Sequence, residues 1–448
     1  MRFNINKIGN FLIATVAILS SVSLTSCEDE PDKFELSGGT PTVYYIRPSD
    51  VNAKDSLLVQ AYPSASICLV GDNMKSVEQM YFNDQKAILN TSYITDHTLI
   101  VEVPSNIPDV VTNKIYMINK DKDTTTYDFH VIVPAPVVSS MSCEYAPTGS
   151  EVTISGSYFI DDPNTPISLT LPDGKVIKDF TNKSRTALTF MMPECDTEGP
   201  ITVTSIYGST KSSFYYKDTR GLLFDFDGVT GLSNHGWHER AITSDGTSLT
   251  GKFVQFGNGS AKMTAAGDWD DSNFSFEYWP GSWNTPTDYP DDGKLLTSLA
   301  DFSDYQNMAI KFEMYVPADH PWSAGGMQII MAGLDKISYG NAGTDINGNK
   351  VAGSNNSYLQ SNALPRAIYR PWESTGSYDT GGKWVTVTIP IADFKYGFDG
   401  TTSTGNLSAK DFNSLVIFAA VFVVGGGVEG TECTPIIKID NIRAVPYK

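Results

Sequence analysis

The chain has 448 residues, 32 of them Lys or Arg against 51 Asp or Glu, for a formal net charge of -19. An acidic chain without basic blocks excludes partners that bind through clustered Lys and Arg, namely nucleic acid and anionic lipid. Its length allows roughly two to four domains, and 37 glycines and 24 prolines, with few long amphipathic helical patterns, predict an all-β protein.

Residues 1–26 read as a signal peptide. Arg2 and Lys7 precede an apolar run from Phe11 to Leu19 that is too short to span a bilayer. The run leads to Leu24-Thr25-Ser26-Cys27, which resembles the bacterial lipobox. That resemblance implies cleavage before Cys27 and acylation of its thiol with palmitate-type chains, each buried methylene adding ~0.8 kcal/mol of membrane affinity. Cleavage removes two positive charges and no acids, taking the formal charge to -21. The linker 27–40 carries Glu28, Asp29, Glu30 and Asp32. These acids resemble the export signal of Bacteroidetes lipoproteins, which implies the extracellular face of the outer membrane.

Residues 41–217 contain a repeat of about 85 residues. "ASICLVGDNM" (65–74) echoes "SEVTISGSYF" (150–159), and "NKIYMINKDKDTTTYDFHV" (113–131) echoes "GPITVTSIYGSTKSSFYYK" (199–217). Gly71 maps to Gly156, Pro104 to Pro193 and Phe129 to Phe214. Short alternating apolar runs, broken by Gly, Pro, Asn and Asp, predict two small antiparallel sandwiches over 41–134 and 135–218. "LVGDNM" and "ISGSYF", followed by "VEVP" and "FMMP", resemble the IPT/TIG immunoglobulin-like family, which implies spacer domains.

Past residue 218 the composition changes. All seven tryptophans lie there. Apolar runs such as "MAIKFEMYVP", "GMQIIMAGL" and "SLVIFAAVFVV", separated by long Gly-, Asn- and Ser-rich loops, predict a larger β-sandwich or jelly roll over 219–448. "GGKWVTVTIPIADF" (381–394) and "IIKIDNIRAV" (436–445) resemble core strands of carbohydrate-binding β-sandwich modules.

Trp384 sits in an alternating strand with Val385, Val387 and Ile389 and reads as core, whereas Trp237 and Trp269 lie in loop-like settings. Three loops have a different character. "FEYWPGSWNTPTDY" holds Trp279 and Trp283 around Pro280 and Gly281, "PADHPWSAGG" holds Trp322, and "LPRAIYRPWESTGSY" holds Tyr369, Trp372 and Tyr378 with Arg366, Arg370 and Glu373. Flat rings stack on the C–H faces of a pyranose and charged side chains bind its hydroxyls. The expected glycan platform is therefore Trp279, Trp283, Trp322, Tyr369 and Trp372, with Arg366, Arg370 and Glu373 as polar contacts.

Acids such as Asp268, Asp270, Asp271, Glu277, Asp291 and Asp292 leave paired-carboxylate chemistry open. No HExxH, nucleophile elbow or phosphate loop occurs. His235, His238 and Glu239 make a weak metal pattern, and Asp225, Asp227 and Asp440 would hold a structural calcium if "FDFDG" and "IDNI" were neighbouring strands. No cofactor or catalytic residue is assigned. Four cysteines follow Cys27, namely Cys68, Cys143, Cys195 and Cys433, and allow three pairings between which sequence does not choose.

The whole assembly resembles the surface glycan-binding lipoproteins of Bacteroidetes polysaccharide-utilisation systems, in a SusE/SusF-like position, in the group with a C-terminal xyloglucan-binding domain. The resemblance implies a non-catalytic receptor for a polysaccharide, xyloglucan or mixed-linkage glucan first. Its implied partners are a TonB-dependent transporter, a SusD-like protein and a surface endoglycanase. A surface endoglycosidase and an adhesin without glycan ligand are the rival readings.

Overall fold

The computed structural model describes residues 34–232, 242–267, 272–278, 295–333, 360–413, 415–422 and 427–447. The chain divides into two compact units, one ending at Val133 and one beginning at Pro134.

The first unit is a sandwich. One sheet orders Thr42–Pro48, Ser66–Asp72 and Thr98–Glu102, and the other orders Gln85–Lys86, Val77–Phe82, Lys114–Asn119 and Thr124–Asp128. Lys114–Asn119 alternates strictly, with Ile115 and Met117 buried, as a strand with one covered face must. Phe129 meets Phe82 edge to face at 5.9 Å.

The second unit begins with a sandwich built the same way. Its sheets order Val137–Met141, Glu151–Ser157, Ala187–Met191, Asn182–Lys183 and Val176–Ile177, Ser168–Thr170, Gly199–Ser205, Gly208–Tyr216. The repeated glycines have one physical cause. A Cβ on Gly71 would lie 1.8 Å from the Thr42 carbonyl oxygen and 2.7 Å from Met74 Cε; on Gly156, 1.9 Å from the Val137 carbonyl oxygen and 2.6 Å from Phe159 Cζ. In each sandwich the facing strand slips register there, between Val43 and Tyr45 and between Val138 and Ser140. The bulge bends the strand, and the side chain three residues on, Met74 or Phe159, is buried beneath it.

The terminal domain packs two sheets around a large core. One sheet orders Ile242–Thr243, Phe253–Phe256, Ile437–Pro446, Met308–Tyr315 and Val385–Pro390, with Leu222–Phe224 also paired to Ile437–Pro446. The facing sheet orders Ser275–Tyr278, Leu415–Val421, Met327–Gly333 and Arg366–Tyr369. Phe224 anchors an aromatic cluster, with Phe276 at 5.1 Å, Phe418 at 5.3 Å and Tyr278 at 5.5 Å. All-β architecture, tandem immunoglobulin-like sandwiches and a larger terminal sandwich agree with the sequence expectation.

The second sandwich and the terminal domain share a buried polar seam. Glu144 accepts from Lys311 Nζ at 2.5 Å and from Arg443 Nη2 at 2.7 Å, while Glu313 accepts from Arg443 at 2.7 and 2.9 Å. Backbone completes it: Thr386 N donates to the Ser142 carbonyl at 2.9 Å, and Glu144 N donates to Thr386 Oγ1 at 2.7 Å. Burial opposes the Arg443 charge, but the two carboxylates outweigh it and hold the guanidinium protonated. Cys68, Cys143 and Cys195 are buried free thiols, and Cys433 is a half-buried one.

Candidate functional site

The four-stranded sheet of the terminal domain has one apolar face. Phe276, Tyr278, Met327, Ile329, Met331 and Ala367 enter the core. By the two-residue period of a strand the intervening side chains, Ser275, Glu277, Gln328, Ile330, Arg366 and Ile368, share the opposite face. Four of those six are polar, and Ser275, Glu277, Gln328 and Arg366 are all buried.

Arg366 organises that face. Its Nη1 donates to Gln328 Oε1 at 2.7 Å, its Nη2 to the Ser361 carbonyl at 3.0 Å, and the Phe398 ring lies 5.6 Å from its guanidinium carbon. Tyr396 adds one more rung to the sheet, its backbone exchanging hydrogen bonds of 2.9 and 3.1 Å with Arg366. Beyond it the chain turns tightly, Gly397 N donating to Thr401 O at 2.8 Å. Asp399 secures the turn by accepting from Thr401 N at 2.9 Å and from Asn362 Nδ2 at 2.7 Å. The turn leaves Tyr396 and Phe398 half-exposed.

Arg370 follows the same strand. Its side chain is mostly covered, and among the described residues its nearest acid is Glu373 at 3.8 Å and its buried Nε has no hydrogen-bond partner. Burial pulls the guanidinium below its ordinary range, with Glu373 opposing. Gly326 makes room for it, since a Cβ there would stand 3.0 Å from Arg370 Nε. The guanidinium lies near the half-exposed Tyr396 ring, and the part of it that reaches water can donate to a neutral ligand rich in oxygen.

The structure separates the residues that sequence grouped as a platform. Trp322 and Trp372 are buried in the core, which corrects their assignment as stacking rings. Both indoles turn inward because both find backbone acceptors there. Trp322 Nε1 donates to the carbonyls of Ala324 at 2.6 Å and Gly325 at 3.2 Å, and Trp372 Nε1 to Gly325 at 2.9 Å. Arg366 is likewise fully buried as a sheet residue, which corrects its assignment as a glycan contact. Tyr369 is half-buried, 6.0 Å from the Trp322 ring and hydrogen-bonded to Tyr378. Arg370 is half-buried and Glu373 exposed. Trp279 and Trp283 lie outside the described residues, as do Trp237, Trp269, His235, His238 and Glu239.

Trp384 departs from its reading as core, since part of its surface is exposed. It packs against the core of the second sandwich and donates its Nε1–H to the Thr247 carbonyl at 2.6 Å. The strands bearing "FDFDG" and "IDNI" are neighbours, so the condition for a calcium site is met. The three acids do not converge, however. Asp225 accepts from Val229 N at 2.8 Å and from Thr230, Asp227 from Lys252 N at 2.8 Å, and Asp440 from Thr250 Oγ1 at 2.7 Å and Asn441 N at 2.8 Å. Among the described residues no group of three His, Cys, Asp or Glu side chains is placed to hold a metal ion.

A family model described as the surface glycan-binding protein B xyloglucan binding domain matches residues 216–446, just over half of the chain. The chain belongs to the surface glycan-binding protein B family. It is similar to the crystal structure of surface glycan-binding protein PbSGBP-B from Prevotella bryantii, at 50% identity and a TM-score of 0.84, over 92% of this chain and 100% of that one. A curated relative, an IPT/TIG domain-containing protein from Bacteroides ovatus, is 27% identical over 156 residues, which is 34% of this chain and 31% of the relative. The chain thus spans about a third of that relative's length. An SGBP-B from a complex xyloglucan utilization locus in Bacteroides uniformis aligns over 91% of this chain and 100% of that one, at 15% identity and a TM-score of 0.40.

In this surface glycan-binding protein, sequence reasoning did not single out Gln328, which is fully buried and positions Arg366, or the half-exposed rings Tyr396 and Phe398. The signal for Gln328 was present, since a polar residue inside "GMQIIMAGL" must face away from the core. Tyr396 and Phe398 follow a strand motif that reads as core, and only the turn at 397–401 brings them beside Arg366.

Proposed function

We propose that this surface glycan-binding protein is a non-catalytic receptor for a β-glucan, xyloglucan or mixed-linkage, held at the extracellular face of the outer membrane by lipid on Cys27. The carrying observation is the match of residues 216–446 to a family model named for xyloglucan binding. The sheet face around Arg370 supports it. An extended neutral chain would lay its C–H faces on half-exposed rings, Tyr396 and Phe398 among the described residues, while Arg370 and Glu373 take its hydroxyls; Tyr369 packs beside Trp322 on the core side of the sheet and is not part of this row. Trp279 and Trp283, which lie outside the described residues, are proposed as further stacking rings. Each ring adds on the order of 1 kcal/mol beyond its buried area, so several must act together. A TonB-dependent transporter, a SusD-like protein and a surface endoglycanase are the proposed partners.

Affinity electrophoresis against a polysaccharide panel tests the reading. A β-glucan is expected to retard the protein, and Arg370→Ala and Trp279→Ala to weaken that retardation. Failure of every glycan to retard it defeats the proposal, and release of reducing sugar from a retarding glycan defeats its non-catalytic half.

A further inference from the structure

Where the second sandwich meets the terminal domain a cleft of about 400 Å³ opens. That volume falls within the range of small-molecule sites, about 300–1,000 Å³. Trp384, Tyr315, Thr247 and Lys383 line it from the terminal domain, Ser150 and Glu151 from the second sandwich. Trp384 is the single tryptophan among the described residues that is not buried. Its ring is fixed between Phe253 at 5.9 Å and Tyr315 at 5.6 Å, with its N–H tied to Thr247. The walls are fixed as well, because the Glu144–Lys311–Arg443–Glu313 seam joins the two domains.

The mouth carries one ion pair, Lys383 Nζ to Glu151 Oε2 at 3.0 Å, with both side chains about half in water. The pair cancels its own charge while offering donors and an acceptor. A charged ligand gains nothing from such a mouth, whereas a neutral polyhydroxyl ring gains hydrogen bonds at the rim and an indole wall within. Because the ring and walls are already in place, little conformational freedom is lost on binding.

We propose that this cleft is a second carbohydrate site, taking one pyranose unit of a neutral oligosaccharide, separate from the sheet face around Arg370. The inference rests on the glycan-binding reading above. Two sites on one chain would hold one polymer more firmly than either alone through effective concentration.

Calorimetric titration of the whole chain with cellohexaose and with xyloglucan oligosaccharides tests it. Two binding events are expected. Ser150→Trp, which fills the cleft from the wall opposite Trp384, should abolish one event and leave the other within twofold, while Arg370→Ala should do the reverse. The exposed pair variant Glu151→Ala/Lys383→Ala, which leaves the core untouched, should weaken the cleft event at least fivefold. It decides the matter if Ser150→Trp lowers the melting temperature. A single event, lost in Arg370→Ala and unmoved by either cleft variant, overturns the second site and spares the receptor reading. No event with either ligand overturns both. A single event lost only in the cleft variants moves the receptor's site to the cleft and overturns the existence of two.

Discussion

Removing the Glu144 carboxylate should loosen the joint between the second sandwich and the terminal domain. Glu144 is 2% exposed and balances two cations, Lys311 at 6% and Arg443 at 0%. In Glu144→Ala both cations remain buried with Glu313 as their sole carboxylate, leaving one positive charge uncompensated. Breaking a buried pair from one side costs about 3–5 kcal/mol, mostly because the orphaned charge stays desolvated. Lys311→Met alone should also destabilise, since it leaves two buried carboxylates sharing Arg443. The double variant Glu144→Leu/Lys311→Met restores charge balance, with Arg443 and Glu313 left as a neutral pair, and should be more stable than Glu144→Ala by at least 1 kcal/mol. Urea denaturation followed by tryptophan fluorescence reads this directly, because all seven tryptophans lie past residue 218. A Glu144→Ala loss below 1 kcal/mol, or a double variant no better than the single one, would refute the idea that charge balance holds the seam.

Gly71→Ala and Gly156→Ala should each destabilise their own sandwich by about 1–3 kcal/mol, since the new methyl collides with a strand carbonyl; a thermal melt unchanged in either rejects the bulge explanation. Trp372→Ala should cost about 3–5 kcal/mol as a core cavity, seen as a lowered denaturation midpoint rather than a selective loss of glycan affinity. Burial, reinforced by Glu313 and Asp227 and opposed by hydrogen bonds from Thr250 and Asn441, pushes the Asp440 carboxyl up to about 7. The folded state therefore keeps a proton that the unfolded chain releases near pH 4, and stability from this group falls as pH rises from about 4 to 7. Asp440→Asn should flatten that fall, and a pH–stability profile identical to the parent's would reject it.

Much of the fold was written in local chemistry. Gly71 and Gly156 announced the repeat because no other residue fits between a bulged strand and its neighbour's carbonyl. The strands "MAIKFEMYVP" and "GMQIIMAGL" declared themselves by apolar content. The site was harder to read because side-chain direction was decided at long range. Trp322 and Trp372 sit in proline- and glycine-bordered segments that read as exposed loops, yet one carbonyl, that of Gly325, receives both indole N–H groups and draws them inward. Arg366 lies in a stretch that reads as loop but forms an edge strand, so its guanidinium is spent on Gln328 and Ser361. Trp384 shows the converse, since alternation marks a strand without showing that a neighbouring domain stops short of covering the ring.

The seam also bears on how such proteins exchange pieces during evolution. A gene fragment cut where the family model begins, at residue 216, would carry Lys311 and Arg443 into a new host and leave Glu144 behind. The transplanted domain would arrive with an unanswered positive charge on a surface built to be dry. A domain cut at that point would fold stably only with the sandwich in front, or with Lys311 or Arg443 replaced by an apolar residue.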